Sequence, residues 1–174
     1  MKLGGLKPVD ERKIVERVLR GDADAFNLLV QQWEKPIYNF ILRMIGDRDE
    51  AMDLCQESFM KAYRELESLK DRDRFSAWLY RIARNTCFSK LRKDAGKTFV
   101  ELAPETSAAR MPIESRLAVE KALLHLPEDQ REVVVLKVFH SLKFEEIAVI
   151  QGAPVSTVKS RLYMGFEKLR AILS

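Results

Sequence analysis

Apolar residues in this chain recur at three- and four-residue steps almost from end to end. No stretch alternates apolar and polar residues as a half-buried strand requires. Phe26, Leu29, Val30, Trp33, Ile37, Phe40, Ile41, Met44 and Ile45 form one such stripe, which predicts a long amphipathic helix bent near Pro36. A second helix is expected from about Glu50 to Leu69, with Ala51, Cys55, Phe59, Ala62 and Leu66 inward and Asp53, Gln56, Glu57 and Met60 on another face. A third is expected from about Phe75 to Lys93, its inner face made by Phe75, Leu79, Ile82, Thr86 and Leu91. The fold class that follows is all-α.

The texture changes from Asp94 to Pro112. Gly96, Pro104, Pro112 and the run Thr106-Ser107-Ala108-Ala109 interrupt any apolar period, as in a linker longer than most intradomain loops. Two small helical domains, 1–93 and 113–174, joined by a flexible linker at 94–112, are the simplest organisation. Helical stretches are then expected at 113–126, 128–140, 143–151 and 155–172, with Pro127 and Pro154 in first helical turns, where the missing N–H is no loss.

Composition excludes several classes. The 174 residues are 47% hydrophobic and 32% charged, the balance of an ordinary folded chain. Cys55 and Cys87 lie far apart without companions at metal-ligand spacing, so neither a disulfide scaffold nor a metal site is expected. Residues 1–10 lack a signal-length apolar core, and no run approaches the roughly 18 apolar residues of a membrane span. A reduced cytoplasm fits, with no membrane insertion. No Gly-rich phosphate loop is present, and His125 and His140 have no companion at triad or ligand spacing. Both histidines are expected at the surface or at helix ends, and no catalytic residue, cofactor or metal is assigned.

The net charge of +4 is unevenly spread. Residues 72–93 hold seven basic groups against Asp73 alone, a local +6, whereas residues 47–57 hold Asp47, Asp49, Glu50, Asp53 and Glu57 against Arg48, a local −4. Either run alone reads equally well as a solvated helix face. Within the basic stretch, Arg74, Trp78, Arg81, Asn85, Phe88 and Arg92 project to neighbouring parts of one helix face. Cations that track phosphates, interleaved with aromatics that stack on bases, suit single-stranded nucleic acid. A duplex opens most cheaply at pyrimidine–purine steps. Trp78 fits the core better; Phe88 fits either role.

The last third reads as a helix-turn-helix. Phe144-Glu145-Glu146-Ile147-Ala148-Val149-Ile150 is a short amphipathic helix, Gln151-Gly152-Ala153 a turn, and Val155 opens a second helix rich in small polar and basic groups. Such a second helix lies in the major groove and reads base edges from its first turns. Ser156 and Thr157 suit phosphate at the positive helix end, Lys159 and Arg161 supply charge, and Ser160 and Tyr163 approach bases. Residues 153–174 have a net charge of +3. A plain helical hairpin has the same pattern.

Five blocks in order carry a resemblance: Asp53-Leu54-Cys55-Gln56-Glu57-Ser58-Phe59; Phe75-Ser76-Ala77-Trp78-Leu79-Tyr80-Arg81-Ile82-Ala83-Arg84-Asn85; Leu126-Pro127-Glu128-Asp129-Gln130-Arg131-Glu132-Val133; Glu145-Glu146-Ile147-Ala148; and Pro154-Val155-Ser156-Thr157-Val158-Lys159-Ser160-Arg161-Leu162. Together they resemble the extracytoplasmic-function (group IV) sigma factors of bacterial RNA polymerase, over about residues 22 to 172. The resemblance implies that residues 1–93 are a region 2-like domain and 113–174 a region 4-like one. It implies that Asp53, Gln56, Glu57 and Met60 dock on the β′ clamp helices of core polymerase, where carboxylates and amides suit arginine-rich helices. Lys70, Arg72, Arg74, Arg81, Asn85, Phe88 and Arg92 would hold the opened −10 element. Ser156, Thr157, Lys159, Ser160, Arg161, Tyr163 and Met164 would read the −35 duplex, and that domain would rest on the β flap. An anti-sigma factor would cover these faces when the protein is silent, and the linker would run toward the RNA exit path. The free chain is expected to be monomeric.

Two departures from the family pattern stand out. Ser89 replaces a common Asp, leaving that helix more basic. Met164-Gly165-Phe166 replaces a basic triplet, which removes phosphate anchors and alters −35 reading; a helix-interior glycine also costs about 0.8–1 kcal/mol relative to alanine. The rival from another class is a polymerase-independent operator-binding regulator. Such proteins usually dimerise on palindromic sites, and no heptad or long apolar seam here supports a dimer. A module that only sequesters a helical partner sits poorly with the +6 stretch.

Overall fold

The computed structural model describes residues 10–95 and 113–174, and every regular element among them is helical. Asp10 accepts from the Lys13 N–H and so starts α1 (Glu11–Leu19), a helix not expected from the sequence. Its apolar Ile14 and Val15 are buried. α2 spans Phe26–Ile45 with Pro36 inside it. It stops at Gly46, whose φ of +83° is left-handed, and a Cβ there would lie 2.7 Å from Leu124 Cδ1. Glycine meets both demands at once.

Asp47 then accepts from Glu50 N–H to open α3 (Arg48–Glu65). The second expected helix thus begins two residues earlier, and its last turn tightens into 3₁₀ form at Leu66–Ser68. The chain turns through a second tight turn, Arg72–Arg74, into α4 (Phe75–Lys93), with the bounds expected. Helices α2, α3 and α4 pack on one another, and α1 packs across α2. Their core is formed by Leu29, Ile37, Phe40, Ile41, Met44, Phe75 and Leu79, each at the limit of burial.

The second domain comprises α5 (Ile113–Leu124), α6 (Glu128–Val134), α7 (Phe144–Gln151) and α8 (Val155–Leu173). α6 runs on into a wider π turn at Val135–Phe139, so the single stretch expected at 128–140 changes pitch halfway. Pro127 and Pro154 sit one position before the first turn, as N-caps, rather than inside it. α8 lies against α6, and Gly165 permits the approach: a Cβ there would meet Val134 Cγ2 at 2.9 Å. The helix-interior glycine therefore has a packing reason.

The two domains are packed together. Arg131, 4% exposed, donates to the carbonyl of Leu124 at the end of α5, to that of Leu126 just beyond it and to that of Met44 at the end of α2. One guanidinium thus satisfies orphan carbonyls of two helices in different domains. Arg43 pairs with Glu120 at 3.3 Å and lies over the Phe139 ring at 4.1 Å. The expected linker, apart from Asp94 and Ala95, lies outside the described residues.

Candidate nucleic-acid and partner interfaces

The acidic face stands on α3. Its opposite side (Ala51, Leu54, Cys55, Phe59, Ala62) is core, which leaves Asp53, Gln56, Glu57 and Met60 exposed together. Glu57 pairs with Lys61 at 2.6 Å, while Asp53 and Gln56 stand open to solvent. Beside them lies an open apolar groove lined by Phe26, Phe59, Met60, Tyr63 and Arg64. Tyr63, half exposed and set edge-on to Phe26 at 5.2 Å, was missed by sequence reasoning; it falls three residues after Met60, the spacing that marks one helix face.

The basic face begins in the loop before α4. Lys70 and Arg74 are exposed and Arg72 partly so. Ion pairs brace this loop: Arg74 to Asp71 at 3.3 Å, Arg72 to Glu16 at 3.2 Å, and Asp73 to Arg12 at 3.3 Å. The last two tie it to α1. The arginines hold the Glu16 carboxyl below its ordinary range, chiefly through the Arg12 hydrogen bond. Arg12, Lys70, Asp71 and Arg72 line a polar cleft; Arg12 was not singled out from the sequence because its helix was not expected.

Along α4, Arg81, Asn85 and Arg92 are exposed on one side. Phe88 is half-buried beneath the Arg84 guanidinium, 4.3 Å from its ring centroid, so its stacking face is already taken in this arrangement. Trp78 packs against the core as expected, 5.9 Å from Phe75.

In the helix-turn-helix, Gly152 adopts φ +62° and ends α7. Ser156, Lys159 and Ser160 are exposed and Thr157 partly so; Tyr163 is 68% and Met164 46% exposed. Arg161 is placed differently from the others. It turns back to donate to Gln151 Oε1 at 2.9 Å and pairs with Asp129 at 3.0 Å. A cation expected to face DNA is here held by its own domain.

That network crosses into the first domain. Arg84 Nε lies 2.9 and 3.0 Å from the two oxygens of Glu132, and its Nη2 lies 3.6 Å from Asp129 Oδ1. Gln151 donates to Glu132 Oε2 at 2.8 Å. Burial pushes the Glu132 carboxyl upward, opposed by Arg84 and by the Gln151 hydrogen bond. Elsewhere between the domains, the Tyr80 hydroxyl and His140 Nδ1 lie 2.9 Å apart. Burial depresses His140 to about 4, with Arg43 adding to the effect. His140 ends the π turn, one of the two placements expected of it, but it is partly buried there, at the seam between domains where α4 packs on α7. His125 is exposed, as expected.

Among the described residues, no group of three His, Cys, Asp or Glu side chains is arranged to hold a metal ion. No helix among them is long and apolar enough to cross a membrane. Burial drives Cys55 up to about 12 and Cys87 higher still, so both thiols stay protonated at neutral pH.

Comparison with known proteins places this geometry. Residues 29–97 match the sigma-70 region 2 model and residues 116–169 the sigma-70 region 4 model. The chain is 35% identical to RNA polymerase sigma-H factor of Pseudomonas aeruginosa, with 91% of each chain covered. It is 32% identical to the ECF RNA polymerase sigma factor SigW of Bacillus subtilis, covering 91% of this chain and 94% of that one. Among solved structures it resembles CnrH in complex with the cytosolic domain of CnrY (TM-score 0.74, 25% identity, 94% and 96% covered). It also resembles the sigma factor RpoE in complex with the anti-sigma factor NepR from Bartonella quintana (TM-score 0.72, 28% identity, 85% and 96% covered). The chain belongs to the extracytoplasmic-function group of the sigma-70 family, and as a sigma factor it is a promoter-specificity factor for transcription initiation.

Proposed function

We propose that the two domains divide the partners between them: residues 1–93 dock core RNA polymerase and hold the opened −10 element, and residues 113–174 read the −35 duplex, with 94–112 as the linker. The observation that carries this reading is the segregation of exposed charge. Asp53, Gln56 and Glu57 stand on α3, while Lys70, Arg74, Arg81, Asn85 and Arg92 stand on the loop and face of α4. Carboxylates and amides beside an apolar groove suit a basic helical protein surface. Exposed arginines around an asparagine suit phosphates and base edges. Ser156, Thr157, Lys159, Ser160, Tyr163 and Met164 at the start and middle of α8 suit a major groove, and Met164 suits a thymine methyl better than a phosphate.

The protein acts without catalysis of its own, in the cytoplasm, and an anti-sigma factor is its partner when silent. The sigma factor RpoE, which it resembles in structure, was solved with the anti-sigma factor NepR, and the exposed Met52, Met60 and Tyr63 around the α3 face give an apolar surface for such a partner. The docking assignment is tested by Asp53→Asn with Glu57→Gln. Affinity for core polymerase should fall at least tenfold while duplex affinity of the free protein stays constant; unchanged polymerase affinity would remove the acidic face from the docking site.

A further inference from the structure

Five side chains close a ring across the domain seam. Arg84 of α4 meets Glu132 of α6; Glu132 accepts from Gln151 of α7; Gln151 accepts from Arg161 of α8; and Arg161 pairs with Asp129 of α6, which returns to Arg84. Glu132 is fully buried, while Arg84 and Arg161 keep only 20% and 24% of their side chains exposed. The single carboxylate of Asp129 therefore touches one arginine from the helix assigned to the −10 element and one from the helix assigned to the −35 element.

We infer that this ring is a self-masking latch: Asp129 and Glu132 stand in for DNA phosphates, neutralise Arg84 and Arg161, and hold the two DNA-binding domains together until promoter and polymerase pull them apart. The inference rests on the division of partners proposed above. The geometry makes the closed state incompatible with promoter binding. Elements named for positions −35 and −10 are centred about 25 base pairs apart, roughly 85 Å at 3.4 Å per pair, whereas in the latch α4 and α8 are bridged by one aspartate side chain. The Arg84 guanidinium also covers Phe88, so opening would free an aromatic face as well as two cations. Carboxylates are suitable surrogates because guanidinium groups bind carboxylate and phosphate through the same fork of donors. Asp129, 43% exposed, is the member that solvent and competing anions reach first.

The test uses the full chain carrying spin labels at Glu65→Cys and Arg170→Cys, both exposed positions, with the buried Cys55 and Cys87 left in place. Asp129→Asn and, separately, Arg84→Gln are compared with the parent by interdomain distance distribution, and Asp129→Asn also by the salt dependence of binding to a random duplex. Either substitution should raise the population of long distances at least fivefold. Asp129→Asn should also steepen the slope of log K against log salt by about 0.9, the contribution of one newly available phosphate contact. Unchanged distances in both variants, with helical content retained, would overturn the latch. Opened distances with an unchanged salt slope would overturn the masking by Asp129. Failure of the parent and of Asp129→Asn to bind any duplex at low salt would instead sink the reading on which the latch rests, and the distances would still report on the seam.

Discussion

His140 shows how far a residue's neighbourhood can depart from its sequence context. It follows an exposed Phe139 and precedes a polar turn, yet it lies against Tyr80 with its titration depressed to about 4 by burial and by Arg43. In the unfolded chain its pKa returns to about 6.5, so between pH 4 and 6.5 the unfolded state binds more protons and stability rises with pH. The contribution is complete above pH 6.5 and is lost as pH falls toward 4, on the order of 3 kcal/mol for the full shift. Replacing His140 with Asn should flatten the stability profile in that window relative to the parent, as measured by urea unfolding at pH 4.5 and 7. Parallel profiles would show that the imidazole is not held neutral by the seam.

At the scale of elements, helical period and caps made most of the fold readable. The bounds of α4 follow from Phe75, Leu79 and Ile82 recurring on one face, and the helix-turn-helix follows from Gly152 and Pro154 between two short periodic stretches. α1 escaped although it was legible: Ile14, Val15, Val18 and Leu19 recur on one face behind Asp10, an apolar period with a cap before it. α8 was legible in part. Exposure matches expectation at Ser156, Lys159, Ser160, Tyr163 and Met164, but Arg161 is held by Asp129 and Gln151, partners 32 and 10 positions away that its charge alone does not announce. Lys159 rests near the Phe144 ring at 5.4 Å with its charge exposed, which suits a phosphate contact. Lys159→Ala should weaken duplex binding and flatten the salt slope by about 0.9, whereas Asn85→Ala should leave duplex affinity intact and impair promoter opening, read by permanganate reactivity of unpaired thymines. Equal effects of both variants on duplex binding alone would contradict the division between α4 and α8.

For the whole molecule, the sequence shows two domains and a break between them but not their packing. Arg84, Asp129, Glu132 and Arg161 read as solvated charge when taken in order; only the fold brings them into one ring. The same holds for Arg131, which is charged in sequence and buried in structure, where two helix-end carbonyls and that of Leu126 take its donors. Near-neutral total charge is thus the sum of an acidic face, a basic face and a set of pairs that cancel internally. A chain with the two partners proposed above has reason to keep both signs, and in this fold Asp129 and Glu132 set some of the two signs against each other. As a promoter-specificity factor this protein directs core RNA polymerase to particular promoters, and run-off transcription with purified core polymerase on genomic fragments reads that activity. Discrete start sites that appear only when the protein is added are predicted; DNA binding without any protein-dependent start site would contradict a sigma-factor role.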